Sequence, residues 1–254
     1  MAEVPDYTPK SNEAEWHITY KCDLACPNCN RLCFLPPTTG DMTLDDAREF
    51  NRQARELGWL PRIVILGGEP TLHRDLFDFI DIANELSPGR VEVWSNGYRP
   101  AAKEKLARIR EEGKAKVCEE TIKACGSEVL QHADFFLAPI DFGVINHRPC
   151  HNHAAIGCGI SVDAEGYAAC SIGGAIDSVL ELGVRTKNLK DLFDVELVHK
   201  QTCSLCDVCG RELGITSHHI AKSQVMHGTL LSPTWQKAVN RIESRKRTSQ
   251  EKPE

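Results

Sequence analysis

The chemistry in this sequence begins with its cysteines. There are twelve in 254 residues, and Cys22, Cys26 and Cys29 stand as C-x3-C-x2-C. Three thiolates so spaced on one loop can hold three irons of a cubane and leave the fourth iron open to a small chelating molecule. A zinc site ordinarily takes a fourth protein ligand, often from a second C-x2-C pair, so the spacing disfavours zinc here. A second group comprises Cys150, Cys158 and Cys170, followed by Cys203, Cys206 and Cys209 as C-x2-C-x2-C. Four ligands suffice for one centre. The reading favours Cys158 and Cys170 with two of Cys203, Cys206 and Cys209, and keeps Cys150 in reserve. A structural zinc on the same residues is the rival. Cys33, Cys118 and Cys125 fall outside both groups and read either as core thiols or as thiols with a chemical role. His147, His151 and His153 bracket Cys150 and offer an acid or base.

Composition narrows the class. A formal charge of -6 removes the basic footprint of a nucleic-acid binder. The one basic concentration, Arg241, Arg245, Lys246 and Arg247, reads as a solvated tail. No apolar run reaches the roughly 18 residues of a membrane span. The opening MAEVPDYTPKSNEAEW lacks the basic and apolar regions of a secretory signal. The expectation is a cytoplasmic protein, without membrane or nucleic-acid partners, whose reduced thiols serve metal binding or redox chemistry.

The elements that position the cysteines follow from periodicity. Residues 16–21 alternate as a strand and run into Cys22. Residues 43–57 read as a helix, with Thr43 as N-cap and Asp45 and Asp46 in the first turn. Residues 62–66 are a buried strand that stops at Gly67-Gly68. Residues 72–86 have a helical period, and 91–94 form a second buried strand closing on Ser95-Asn96-Gly97. A helix over 101–112 ends at Gly113, and strands are expected at 115–118 and 134–140. Such alternation means βαβ units and a parallel sheet. Beyond residue 145 the pattern changes to a hairpin with arms at 160–162 and 167–170, a short helix at 189–197 and a helix over 233–244. The expected division is an N-terminal extension (1–15), an α/β domain (16–145), a cysteine-rich domain (146–232), and a C-terminal helix with a polar tail (233–254).

The C-x3-C-x2-C stretch behind an N-terminal strand resembles the radical S-adenosylmethionine (radical SAM) superfamily. The resemblance implies that Cys22, Cys26 and Cys29 ligate a 4Fe-4S cluster whose open iron chelates the SAM amine and carboxylate. Gly67-Gly68-Glu69-Pro70 is similar to the family's GGEP motif, whose backbone and acid hold the SAM amino group. Ser95 and Asn96, with Gly97, are similar to its ribose-contacting segment. Both lie at carboxyl ends of parallel strands, where α/β folds gather ligands. Asn28 departs from the pattern, which usually has an aromatic residue there. The segment 158–170 resembles the Twitch and SPASM auxiliary-cluster domains, and six cysteines instead of seven point to one auxiliary 4Fe-4S cluster. The implied fold is α/β, a shortened partial (β/α) barrel of radical SAM type followed by a small cysteine-rich auxiliary-cluster domain. That layout is similar to the 2-deoxy-scyllo-inosamine dehydrogenases.

The resemblance implies reductive cleavage of SAM to a 5'-deoxyadenosyl radical, which takes hydrogen from a substrate C-H bond. An external donor such as flavodoxin or ferredoxin supplies the electron. The first expectation is an oxidoreductase acting on a small polyhydroxylated metabolite (aminocyclitol, sugar or nucleoside), with the auxiliary cluster as electron acceptor. With only a short lead before the first strand, no fused peptide-recognition domain is expected, and the expectation leans toward the small molecule. The alternative is an epimerase or a peptide-modifying enzyme; an epimerase needs a hydrogen donor, and Cys33, Cys118 and Cys125 are its candidates. A non-enzymatic iron-sulfur or zinc protein is the third reading, against which the open-site spacing argues.

Overall fold

The computed structural model describes residues 12–24, 29, 31–33, 40–119, 159–209 and 233–250. Cys26, Cys125, Cys150, Cys158, the three histidines around Cys150 and the strand expected at 134–140 lie outside them. One sheet of six strands carries the architecture, in the order β4-β3-β2-β1-β5-β6. Strands β1 (Glu13–Thr19), β2 (Arg62–Gly67), β3 (Val91–Ser95) and β4 (Lys116–Glu119) run parallel. Helices α1 (Leu44–Glu56), α2 (Leu76–Leu86) and α3 (Pro100–Glu112) provide the crossovers. This is the parallel βα succession expected of a partial barrel.

Local chemistry sets these boundaries. Thr43 caps α1 in a reciprocal box with Asp46, and Asp45 and Asp46 stand in its first turn. Gly113 ends α3 in the left-handed conformation. Residues 72–86 are not one helix: a 3-10 turn, Pro70–Leu72, precedes α2. The expected helix at 189–197 likewise divides into a 3-10 turn (Leu189–Phe193) and α5 (Val195–Cys206), because Asp194 accepts from the Glu196 and Leu197 amides and starts a new helix.

The hairpin does not stand apart from the sheet. Its strands β5 (Ile160–Asp163) and β6 (Gly166–Ala168) extend the sheet beyond β1, through Ala14 opposite Ile160 and Trp16 opposite Val162. Helix α4 (Gly173–Leu180) follows. Its glycine start conceals it from a propensity reading. Close approach explains the glycine: a Cβ on Gly174 would lie 2.6 Å from Asp163 Oδ2. That carboxylate is the centre of a buried polar tie. Tyr20 Oη (2.9 Å) and Arg185 Nη1 (2.8 Å) donate to Asp163 Oδ2, and Arg185 Nε donates to Asp177 Oδ2 (2.8 Å).

The two faces of the sheet differ. One buries Trp16, Ile65, Val93 and Val162 against the helices, with Trp16 edge-on to Phe50 and Phe79. On the other, pairing places Glu13 beside Arg62, and Glu15, Val64, Glu92 and Lys116 in one row. Directly paired residues share a face, so this side is polar. Helix α6 (Pro233–Gln250) packs Ala238, Val239 and Ile242 against Ile172, Ile176 and Val179 of the α4 region. Among the described residues, no helix is long and apolar enough to cross a membrane.

Candidate functional site

Strand β1 delivers the chain to Cys22, and Gly67-Gly68 grips that delivery. Gly68 N donates to Thr19 O (2.7 Å) and Glu69 N to Lys21 O (2.8 Å). A Cβ on Gly67 would lie 2.1 Å from Thr19 O, and one on Gly68 2.1 Å from Lys21 O. Gly67 also has φ +138°, a region that side chains rarely adopt. The glycine pair is therefore required by the backbone that leads into Cys22.

Glu69 joins the next strand to this grip. Its carboxylate is fully buried. Oε1 accepts from Thr71 N (3.0 Å), Thr71 Oγ1 (2.6 Å) and Ser95 Oγ (2.7 Å), and Oε2 accepts from Asn96 N (2.8 Å). Glu69, expected at the SAM amino group, thus has intrachain donors on both carboxylate oxygens. Asn96, expected at the ribose, points its Nδ2 to Asp23 Oδ1 (2.9 Å) and to Cys22 Sγ (3.8 Å), while its Oδ1 accepts from Tyr98 N (2.8 Å). Arg99 Nε donates to Asp23 Oδ2 (3.0 Å). Cys22, Gly68-Glu69 and Ser95-Asn96 form one hydrogen-bonded unit at the carboxyl ends of β1, β2 and β3. Asp23 and Arg99 complete it, and sequence reasoning missed both because no local pattern marks them.

Cys33 is not remote from the first group. Its thiol lies 3.8 Å from Gly67 O and donates to the Cys29 sulfur. That hydrogen bond holds the Cys29 thiol down at about 6, while it and burial push Cys33 well up. Between them, Leu32 takes a positive φ of 54° and its amide donates to Cys29 O (3.1 Å). Arg31 turns back to β1, where Nη2 pairs with Glu15. Burial lifts the Glu15 carboxyl above its usual range, with Arg31 opposing. Arg31 Nε and Nη1 are buried without a hydrogen-bond partner among the described residues. Thiols, an amide N–H directed at a ligand sulfur and a buried cation with unused donors suit an anionic iron-sulfur centre. The residues fit the group that the sequence implies.

The described members of the second cysteine group border an apolar cluster. Cys170 follows β6, Cys203 and Cys206 lie one turn apart on α5, and Cys209 follows it. Cys170 and Cys209 share one apolar cluster with Ile172 and Leu205, and Leu32 of the first loop belongs to the same cluster. Cys203 Sγ lies 3.6 Å from His199 Nε2. Among the described residues, no three His, Cys, Asp or Glu side chains form a metal-ion site. Cys118 belongs to the polar sheet face, with Sγ 3.5 Å from Glu92 Oε2; burial and that carboxylate raise its pKa and keep it a thiol.

Part of the chain is similar to known proteins. The Radical SAM superfamily profile matches residues 16–123. An AdoMet-dependent heme synthase of Nitratidesulfovibrio vulgaris is 28% identical over 82 residues, 32% of this chain and 22% of the relative. The PqqA peptide cyclase of Bradyrhizobium diazoefficiens is 28% identical over 111 residues, 44% of this chain and 28% of the relative. The chain thus spans less than a third of either curated relative. The crystal structure of BtrN in an open conformation aligns with 85% of this chain and 94% of its own, at 13% identity and a TM-score of 0.46. Residues 16–123 are matched by the Radical SAM superfamily model, a family that implies a 4Fe-4S cluster and SAM as cofactors.

Proposed function

We propose that this radical SAM enzyme is an oxidoreductase acting on a small polyhydroxylated metabolite. Cys22, Cys26 and Cys29 hold the SAM-binding cluster, and Cys158 and Cys170 with two of Cys203, Cys206 and Cys209 hold an auxiliary 4Fe-4S cluster that accepts the electron lost by the substrate. Once loaded, the first cluster and SAM supply reductive cleavage of the sulfonium, driven by a flavodoxin- or ferredoxin-type donor. The chain's own residues do the positioning. Asn96 fixes the Cys22 sulfur, Glu69 fixes Ser95 and Asn96, and Gly67-Gly68 fixes the entry into the cysteine loop.

The observation that carries the reading is the hydrogen-bonded unit of Glu69, Asn96 and Cys22 at one end of the parallel strands. Two features support the finer assignment. Leu32 and Cys209 share one apolar cluster, so the two cysteine groups border a common core. The polar sheet face offers Glu92 with Arg62 (3.1 Å) and Lys116 (3.3 Å), beside a partly exposed Trp94. Paired charges beside an indole suit a ligand rich in hydroxyl and amino groups. The similarity to a PqqA peptide cyclase favours a second reading, peptide modification.

Anaerobic reconstitution tests the proposal. The protein should hold iron for two cubanes and form 5'-deoxyadenosine from SAM. Replacing Cys22, Cys26 and Cys29 together should remove one cubane and abolish SAM cleavage; persistent 5'-deoxyadenosine would refute the ligand assignment. Replacing Cys158 and Cys170 should stop oxidation of an aminocyclitol, sugar or nucleoside substrate while uncoupled SAM cleavage continues. Turnover of peptides alone from a mixed panel selects the second reading.

A further inference from the structure

Arg31 lies in the cysteine loop between Cys29 and Cys33, yet its side chain is only 11% exposed. Glu15, on the polar face of β1, holds Nη2. The Nε and Nη1 donors are buried, and neither has a hydrogen-bond partner among the described residues. A buried donor left without an acceptor is destabilising, and more so on a charged group.

Neighbouring acceptors are engaged elsewhere. Asp163 takes Tyr20 and Arg185, Ser171 O takes His17 Nε2 (3.0 Å), and Glu15 takes Arg31 Nη2. His17 Nδ1 is unpartnered, but no hydrogen bond joins it to Arg31. The Cys29 and Cys33 sulfurs lie within electrostatic reach of the guanidinium. An anionic acceptor on the cysteine side of this loop would meet both donors. A cubane on three thiolates is anionic and gains one negative charge on reduction. N–H donors to its sulfurs and a buried cation both favour the reduced form.

We infer that Arg31, anchored by Glu15, donates Nε and Nη1 to the sulfurs of the SAM-site cluster and raises its reduction potential. The inference rests on the ligand assignment proposed above. Arg31 acts as a charge-compensating residue, distinct from the ligands.

The experiment uses the full chain, reconstituted anaerobically, as wild type, Arg31→Met and Arg31→Lys. Iron content, SAM affinity and an EPR redox titration of the SAM-perturbed signal are measured. Arg31→Met should keep its iron and SAM affinity. At the potential that half-reduces wild type, its oxidised-to-reduced ratio should rise about tenfold, which is about 59 mV for a one-electron couple. Arg31→Lys should recover part of the shift, because it restores charge without the fork of donors. In wild type with 15N-labelled arginine, the reduced cluster should show a 15N coupling that Arg31→Lys removes. Equal potentials at equal iron content overturn the inference. So does an unchanged potential with weakened SAM binding, which assigns the donors to the SAM carboxylate. If Arg31→Met loses iron, the labelled wild type decides, and absence of the coupling overturns the inference. Wild type with no SAM-perturbed signal would instead indict the ligand assignment.

Discussion

The two cysteine regions lie in different surroundings. Around Cys22 the candidate residues are joined by hydrogen bonds that run through Asp23, Asn96 and Glu69. Around Cys170 and Cys209 the cysteines share an apolar cluster with Ile172, Leu205 and Leu32. Hydrogen bonds have direction and fix atoms, whereas apolar packing fixes volume. The first region is thus suited to orienting a small cofactor, and the second to seating a compact centre against the core.

The strongest way to break the contrast is the buried Arg185 tie of the second region. Arg185→Met leaves the buried Asp163 and Asp177 carboxylates uncompensated, and should cost about 3–5 kcal/mol in denaturant unfolding. A loss below 1 kcal/mol would show that packing alone supports α4. Next in size, Gly68→Ala forces a Cβ onto the Lys21 carbonyl, where backbone meets backbone. About 3 kcal/mol should be lost, along with the SAM-perturbed EPR signal. Gly40→Ala, with nothing within 4 Å, is the neutral control.

Glu69→Gln tests the hydrogen-bonded unit itself. It puts an amide donor against either the Thr71 and Ser95 donors or the Asn96 N–H, and should cost about 1.5–3 kcal/mol and weaken SAM binding. Unchanged thermal stability and SAM affinity would mean that the unit is dispensable. The smallest effect sharpens the first region without touching its stability. With its thiol near 6, Cys29 in the metal-free protein is mostly thiolate at pH 7, so its alkylation rate should be half-maximal near pH 6. Cys33→Ala removes the donor, returns Cys29 toward an ordinary thiol and slows alkylation at pH 7. Mass-resolved alkylation across pH 5–9 reads both; an unmoved midpoint would dismiss the Cys33 bond.

Legibility followed the range of the interaction. The Thr43 cap, the Gly113 stop and the buried strands were readable because their partners lie within a few residues. Helix α4 was not, since Gly173-Gly174 answers to Asp163, Ala168 and Leu205 from other elements. The hairpin was readable as a hairpin, but its attachment to β1 was not, because pairing partners leave no local period.

The candidate site divides the same way. Residue types and spacing by themselves determined a loop of three thiols at open-site spacing, two glycines and an acid behind a buried strand, and hence the resemblance to the radical SAM superfamily. Only the tertiary structure decided which groups surround those thiols. Asp23 meets Asn96 across 73 residues, Cys33 meets the Gly67 carbonyl across 34, and Arg31 turns onto Glu15 with two donors unspent. Ligand spacing is a property of the local chain. The polar surroundings that tune those ligands come from chain ends brought together by the sheet, and no local periodicity encodes them.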